Sequence, residues 1–522
     1  MTAFPAIVKL TCRSAVRSKV FRFLLLLLLF CAVAVPLTIK GDGTITGEVQ
    51  ILLEYSTGIV GFILSTSVIW MTCAEFCTDM ENGQIHMIFV KPVSRLVVWA
   101  GKFAGVFLIH VVLLFIAGMV IYLFAELKHR EIYNREKNRL DVALEKLDKL
   151  QKGQIAQQDI KETAESVKKN LDEAQANLVK IENEVFTARR VFLPVIGNMQ
   201  EKVKAELARR IRESKAAGRD LPALYGTDRR KFIDSVRMEL LAKMGEVKPG
   251  GQQTWKYAGL PDDFKGIAFV RYKFYSGEIY GKDQKLSFGA WQLLYAQEIP
   301  DANQPGKIQE TRMIPMAKAP EQLLSGVYHE FAVPGSTQSG QKLFHDGKTE
   351  LTYFNLTDPN NQGPSVHFQV LESPKILIKV SSFTSNFIRM LFVTAMGLFA
   401  LCLVAAFASS FLTMPTALFI SLAYIFLGMF SKYIVSNIEV MGGHESVTIL
   451  DRIGGWTGEM ISSLLIPIQD FFASSLLSVG ELIEFSFMLD LFIFNILLKG
   501  LPLCVLGMYL YYRRETALAM RK

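Results

Sequence analysis

The chain has 522 residues, 50% hydrophobic and 20% charged, with a formal charge of +8. That is too apolar for an ordinary soluble enzyme and too charged for membrane helices alone, so two kinds of segment must alternate. The basic residues form no patch interleaved with aromatics, which speaks against a nucleic-acid partner; many flank apolar runs, as membrane segments require.

Residues 3–22 mix small, apolar and basic side chains (Lys9, Arg13, Arg17, Lys19, Arg22), and 23–39 is an almost uninterrupted apolar run. With no small-x-small cleavage site after the run, the pattern predicts an interfacial helix leading into a first span rather than a signal peptide. Further spans are expected over 55–74 and 98–124, each long enough to cross about 30 Å of hydrocarbon. After a long polar insert, a fourth is expected over 387–412 and a fifth over 416–433, where Pro415 can open the helix without losing a hydrogen bond. A sixth over 491–512 ends on Arg513 and Arg514, with a re-entrant segment before it near 461–472.

Basic residues before the first span and after the last place both termini in the cytoplasm, and span counting then places 127–382 outside. All six cysteines (Cys12, Cys31, Cys73, Cys77, Cys402, Cys504) lie in or beside apolar blocks, so the insert has no disulfide; this favours a bacterial envelope protein in the plasma (inner) membrane. Asn355-Leu356-Thr357 is a glycosylation sequon only in a secretory pathway.

Within the insert, Val167, Leu171, Ala174, Leu178, Ile181, Val185 and Ala188 make a narrow apolar seam, and Leu140, Leu144 and Leu147 an earlier one. With a reversal at Lys152-Gly153-Gln154, 131–190 reads as a helical hairpin whose helices close on each other or form an intermolecular coiled coil. Helices follow at 199–214 and 228–244, the latter with Thr227 as N-cap and Gly245 as stop. From 255 to 380 the period becomes two, which predicts an antiparallel β-sandwich with Phe269, Phe288, Trp291, Tyr353 and Phe354 as candidate core. The expected domains are 1–126 (N-terminal helix and three spans, with a cytoplasmic loop at 75–100), 127–250 (hairpin or coiled coil), 251–382 (β-sandwich) and 383–522 (three spans). The fold class is thus a mixed membrane protein with a six-helix transmembrane domain.

The loop after the second span carries Glu81, Gly83, Ile85, Pro92, Ser94 and Arg95, with Gly101-Lys102 opening the third span. A short amphipathic helix broken by Gly83 and Pro92 can dock the apolar edge Ile85, Met87, Ile88 and Phe89 into a groove on a partner, with Glu81 and Arg95 fixing its orientation. The competing reading is an interfacial loop whose Arg95 and Lys102 contact lipid headgroups.

These residues resemble the first cytoplasmic loop of the type 2 ABC export permeases: an acidic residue, a Gly, an apolar stretch, Pro-x-Ser-Arg, then Gly-Lys. The basic amphipathic start and the closing Tyr511-Tyr512-Arg513-Arg514-Glu515 are also similar to that family, in particular to the multi-copper-enzyme maturation permeases. The resemblance spans both membrane blocks and stops at the insert. It implies a permease subunit of an ATP-binding cassette exporter, a homodimer bound to two copies of a separate ATPase, with no cofactor. It leaves the exported substrate open.

The chain itself carries no ATP-binding loop: before Gly347-Lys348-Thr349, Lys342 stands where the first P-loop glycine belongs, and Ser339-Gly340-Gln341 only echoes an ABC signature. No Ser/His/Asp constellation, metal-ligand cluster or phosphate loop marks an enzyme, and His329, His345 and His367 lack the spacing of a shared site. Among polar residues in the apolar runs, Lys499, Asn495 and His110 are candidates for a translocation path, with the alternatives that Lys499 packs on Asp490 or on the re-entrant segment and that His110 is a satisfied core histidine. Two rival readings remain: an anchored envelope scaffold without transport, and a mechanical transducer that moves its outer hairpin without moving cargo.

Overall fold

The structure, a computed structural model, describes residues 3–38, 45–81, 93–151, 160–195, 197–217, 227–262, 264–276, 287–300, 308–337, 339–357, 365–369, 373–441, 456–457, 460 and 463–514. It separates into two compact units. One comprises Met1–Ala188, Ser381–Ile438 and Asp451–Lys522, the other Arg189–Val380 with Glu439–Leu450. The hairpin helices thus belong with the apolar helices, and the two helices after it belong with the strands.

The first unit is helical. After α1 (Ala3–Arg17), α2 (Lys19–Thr38) and α3 (Ile45–Glu81) comes α4 (Arg95–Gln151), one continuous helix of 57 residues. At 1.5 Å per residue it is about 85 Å long, far more than a bilayer needs. It folds back through α5 (Ile160–Lys180), which ends in a π turn, Ile181–Val185. After the second unit the chain resumes in α8 (Phe383–Ser409) and α9 (Met414–Met441), and closes with α11 (Phe485–Arg513), wound as a π-helix over Leu491–Gly500. Five helices, α2, α3, α4, α8 and α11, are long and apolar enough to cross a membrane, and Met414–Phe430 of α9 is a shorter apolar helix.

Their shared core runs through Leu53, Val68, Phe76, Trp99, Val106, Leu398, Leu401 and Phe471. A close helix approach here uses glycine. A Cβ on Gly101 or Gly105 would lie 2.7 Å from Ile7 or Thr11 of α1, so α1 rests directly on the backbone of α4.

Of the expected seam of α4, Leu140 and Leu147 are half-buried and Leu144 is 45% exposed, while Ile132, Glu136 and Ala143 are buried. Glu136 is held inside by Arg139 at 3.2 Å and by Asn177 of α5 at 3.0 Å, and its place on the inner face leaves Leu144 outside. The base of the hairpin is fixed by Glu48 of α3, 3.3 Å from Lys128, and by His129, whose ring lies 4.5 Å from Phe186.

The second unit holds α6 (Met199–Ala216), α7 (Thr227–Gly245) and the strands. These are β1 (Thr187–Phe192), β2 (Glu246–Val247), β3 (Gln252–Ala258), β4 (Ile267–Lys273), β5 (Tyr275–Ser276), β6 (Ser287–Pro300), β7 (Ile308–Ala317), β8 (Glu321–Leu323), β9 (Tyr328–Pro334), β10 (Lys348–Asn355), β11 (Val366–His367) and β12 (Lys375–Ser382). Two larger sheets run β1-β12-β4-β9 and β3-β10-β6-β7, with β8 beside β6, and a third runs β2-β11-β5. The β10 pairings with β3 and β6 and the β4 pairings with β9 and β12 are antiparallel.

β10 alternates buried and outward residues along its length, as a strand with one packed face must. One aromatic core serves both large sheets: Trp291 of β6 lies 4.9 Å from Tyr353 of β10, 4.6 Å from Tyr272 of β4 and 6.0 Å from Phe331 of β9. Of the expected core residues, Trp291 and Tyr353 sit there and Phe269 is buried. Phe288 is exposed and Phe354 only half-buried, because both stand one residue out of phase with the inward set.

Candidate functional site

Two places in the helical unit gather the residues singled out in the sequence. The first is the end of the bundle where the 82–92 loop leaves α3 and returns to α4. Gly83, Ile85 and Pro92 lie outside the described residues, and Glu81 is the last residue of α3. The flanks are described. Ser94 caps α4, its hydroxyl accepting from Val97 N at 3.3 Å. Arg95 donates to the carbonyls of Tyr512 at 2.9 Å and Arg514 at 3.0 Å. Trp99 Nε1 donates to Ser410 Oγ at 2.9 Å, and Arg514 to Ser409 O at 3.1 Å. On the outgoing flank, Cys77 Sγ faces Leu412 O at 3.5 Å.

The incoming flank is therefore tied to the C-terminal ends of both α8 and α11, and the outgoing flank to the end of α8. Orphan carbonyls at a helix end attract cationic donors, and at position 95 one guanidinium nitrogen, Nη1, serves two of them. Lys102 is buried, donates to Glu75 O of α3 at 2.5 Å and lies 5.8 Å from the Phe76 ring centre. The Gly101-Lys102 pair thus has two local duties, seating α1 and bridging α4 to α3.

The second place lies deeper, around an irregular stretch at 463–484. After Pro467 the chain makes one 3-10 turn (Ile468–Phe471), a short helix α10 (Ser474–Ser478) and a reversal at Gly480, where φ is +69°. Backbone of this kind among apolar helices leaves carbonyls and amides that the segment cannot bond internally. Side chains of three neighbouring helices supply the partners. Tyr424 Oη of α9 donates to Leu464 O at 3.1 Å and accepts from Ile466 N at 3.0 Å. Lys499 Nζ of α11 donates to Leu465 O at 2.7 Å. Asn386 of α8 bonds twice, to Glu481 O at 2.8 Å and from Ile483 N at 2.9 Å, and Arg389 donates to Ile483 O at 3.0 Å.

Three glycines provide the room. A Cβ on Gly397 would stand 2.7 Å from Phe471 Cβ, on Gly428 2.8 Å from Ile466 O, and on Gly61 3.1 Å from the Phe472 ring.

Lys499 and Asn495 lie on the π-wound part of α11, and Asn495 is buried. His110 bonds elsewhere, to Val106 O at 2.8 Å and Ser67 Oγ at 3.0 Å. A carbonyl only accepts, so Nδ1 carries a proton and donates it to the hydrogen bond with Val106 O. Lys499 and His110 therefore serve different contacts. Asn386, Tyr424, Gly397 and Gly428, which do most of the holding, went unnoticed in the sequence; the available signal was a polar or glycine interruption in each apolar run that the segment touches.

Among the described residues no group of three or more His, Cys, Asp or Glu could hold a metal ion. No family model, no curated protein and no solved structure matches the chain.

Proposed function

We propose that this chain is the membrane-spanning permease subunit of an ATP-binding cassette exporter of the bacterial inner membrane, working as a homodimer with two copies of a separate ATPase. In this reading α2, α3, α4, α8, α9 and α11 are the six spans, 463–484 is re-entrant, and the hairpin and a β-sandwich domain stand outside while both termini and the 82–92 loop face the cytoplasm. The ATPase grips that loop, and nucleotide-driven closure moves the spans and the outer hairpin together. The chain contributes no catalytic chemistry of its own.

The observation that carries the reading is the bonding of the loop's flanks. A force applied at 82–92 reaches Arg95 and Cys77, and through them the ends of α8 and α11, so both halves of the chain move as one. The uninterrupted α4 favours an added mechanical output, since a single rigid element links the loop to the hairpin. An anchored scaffold would have no need of either feature.

The test is purification of the tagged protein from native membranes in mild detergent, wild type against Glu81→Ala plus Arg95→Ala. A stoichiometric ATPase that accompanies the wild type and is lost from the variant is expected. No ATPase with the wild type would favour the anchored scaffold. Topology is checked with an impermeant maleimide on intact spheroplasts. Single cysteines at the exposed positions Ser166 and Lys348 should both react, and protection of both overturns the outside placement.

A further inference from the structure

Helix α1 has two opposite faces. On one, Ile7 meets Gly101 of α4, Thr11 meets Gly105, and Cys12 Sγ lies 3.6 Å from Gly105 O; Thr11 and Ala15 are buried. Contacts that step four residues along both helices mean that α1 runs beside α4 in the same direction, and the two glycines let the backbones close. Lys9, Arg13 and Arg17 each follow one of the seated residues Ile7, Thr11 and Ala15 by two positions, or about 200° round the helix. They therefore form a stripe on the side away from α4, and all three are exposed.

The chain supplies no acid for this stripe. The side chains of Lys9, Arg13, Arg17 and Lys19 hold no partner among the described residues, and Arg22 reaches the carbonyl of Arg17 at 3.4 Å. No acidic residue precedes Asp42 in the sequence. Set among the cations, Phe4 is 43%, Leu10 58% and Val16 54% exposed. Cations and uncovered apolar side chains on one helix face suit a boundary where hydrocarbon meets charge, with the long stems on the hydrocarbon and the charged heads reaching out of it.

Its place in the bundle decides the partner. Gly101 lies within two turns of Arg95, at the end where Arg95 meets Tyr512 O. Tyr509 and Tyr512 are 50% and 57% exposed at that end, and Arg513 lies 5.4 Å from the Tyr509 ring centre. Exposed tyrosines and cations at the end of apolar helices mark the headgroup level of a bilayer. A second copy of the chain would bring the same cations, which like charge opposes, and a soluble acidic protein would gain nothing from Leu10 and Val16. We infer that Lys9, Arg13 and Arg17 bind the phosphates of anionic phospholipids, so that α1, seated on α4, makes this end of the bundle select such lipids over zwitterionic ones. The inference rests on the bundle sitting in a membrane and stands whether or not an ATPase grips the 82–92 loop.

The test uses the full-length protein in detergent micelles, titrated with pyrene-labelled phosphatidylglycerol or phosphatidylcholine of equal chain length and read by energy transfer from the protein's tryptophans. Tighter binding of phosphatidylglycerol is expected. Each cation at a charged headgroup strengthens attachment about fivefold, so Arg13→Gln should weaken phosphatidylglycerol binding about fivefold and Lys9→Gln with Arg13→Gln and Arg17→Gln about a hundredfold. Raised salt should weaken it as well. The substituted positions are exposed and bond nothing described, so the fold is kept; unchanged circular dichroism and unchanged phosphatidylcholine binding verify this. A matched variant, Lys168→Gln with Lys204→Gln and Lys215→Gln, removes the same charge from exposed positions elsewhere and should bind as the wild type does. Four outcomes overturn the proposal. They are equal affinity for the two lipids, unchanged phosphatidylglycerol binding in the triple α1 variant, an equal loss in the matched variant, which would mark overall charge, and displacement of the lipid by glycerol 3-phosphate at the same concentration, which would mark an anion site that needs no lipid chain.

Discussion

The ammonium group of Lys499 donates to the carbonyl oxygen of Leu465 across 2.7 Å, joining the π-wound stretch of α11 to the irregular segment before it. This gives a charged residue in an apolar helix a holding role, and a measurement separates that role from conduction. Lys499→Met leaves the carbonyl without a donor, so a loss of about 1–3 kcal/mol and a lower unfolding temperature in detergent are expected. Asn386→Leu, which strands both Glu481 O and Ile483 N, should cost at least as much. A Lys499→Met protein of unchanged stability but altered transport would assign Lys499 to the path instead.

The glycines facing 463–484 give a second prediction. Gly397→Leu forces a side chain into the space of Phe471 and should cost about 1–3 kcal/mol in thermal unfolding. Gly58 on α3 has nothing within 4 Å of its Cβ position, and Gly58→Ala should leave stability unchanged or slightly raised. Equal effects of the two substitutions would mean that the segment does not pack on Gly397.

In the strand unit, Arg189 of β1 is fully buried, pairs with Glu330 and stacks over Phe269 at 5.3 Å, while Arg271 donates to the same carboxylate at 2.6 Å. Glu330 thus bridges two cations. Glu330→Ala should destabilise the unit by about 3–5 kcal/mol, because the buried Arg189 loses this carboxylate. Tryptophan fluorescence reads this directly, since Phe331 lies against Trp291. A shift of less than about 1 kcal/mol would show that water reaches Arg189 in solution.

The apolar runs were legible because length and composition alone separate a membrane-length helix from other structure, and the strands were legible from period two. The packing phase was not. The row Leu140, Leu144 and Leu147 has perfect helical spacing, yet buried Glu136 and its partner Asn177 set which face of α4 turns inward, and a partner 41 positions away leaves no trace in local periodicity. Phe288 and Phe354 failed for the related reason that a one-residue shift in a strand exchanges its faces. Arg95 and Lys102 stood out in the sequence, but their acceptors are backbone carbonyls, which no residue type announces.

Acid should loosen α6 from α7 before it unfolds the rest. Arg209 first, then Arg210, hydrogen-bond Glu206 and hold its carboxyl down from 4.5 to about 2. Arg210 also bonds Glu239 of α7 at 2.6 Å and lowers that carboxyl. Carboxyls depressed in the folded state stabilise fully above the ordinary carboxylate range and lose that contribution as pH falls through it toward about 2. Protection against hydrogen exchange over 199–216 and 227–245, corrected for the intrinsic exchange rate at each pH, should therefore fall between pH 5 and pH 3 by more than it does in the sheets. Because α6 buries only Val203, it has little apolar contact to fall back on, so the charged pairs matter more here than surface pairs usually do. Arg210→Ala, which removes the cation common to both acids, should raise exchange at pH 7 and flatten its pH dependence. An unchanged profile in that variant would place the α6–α7 coupling in residues other than Arg210.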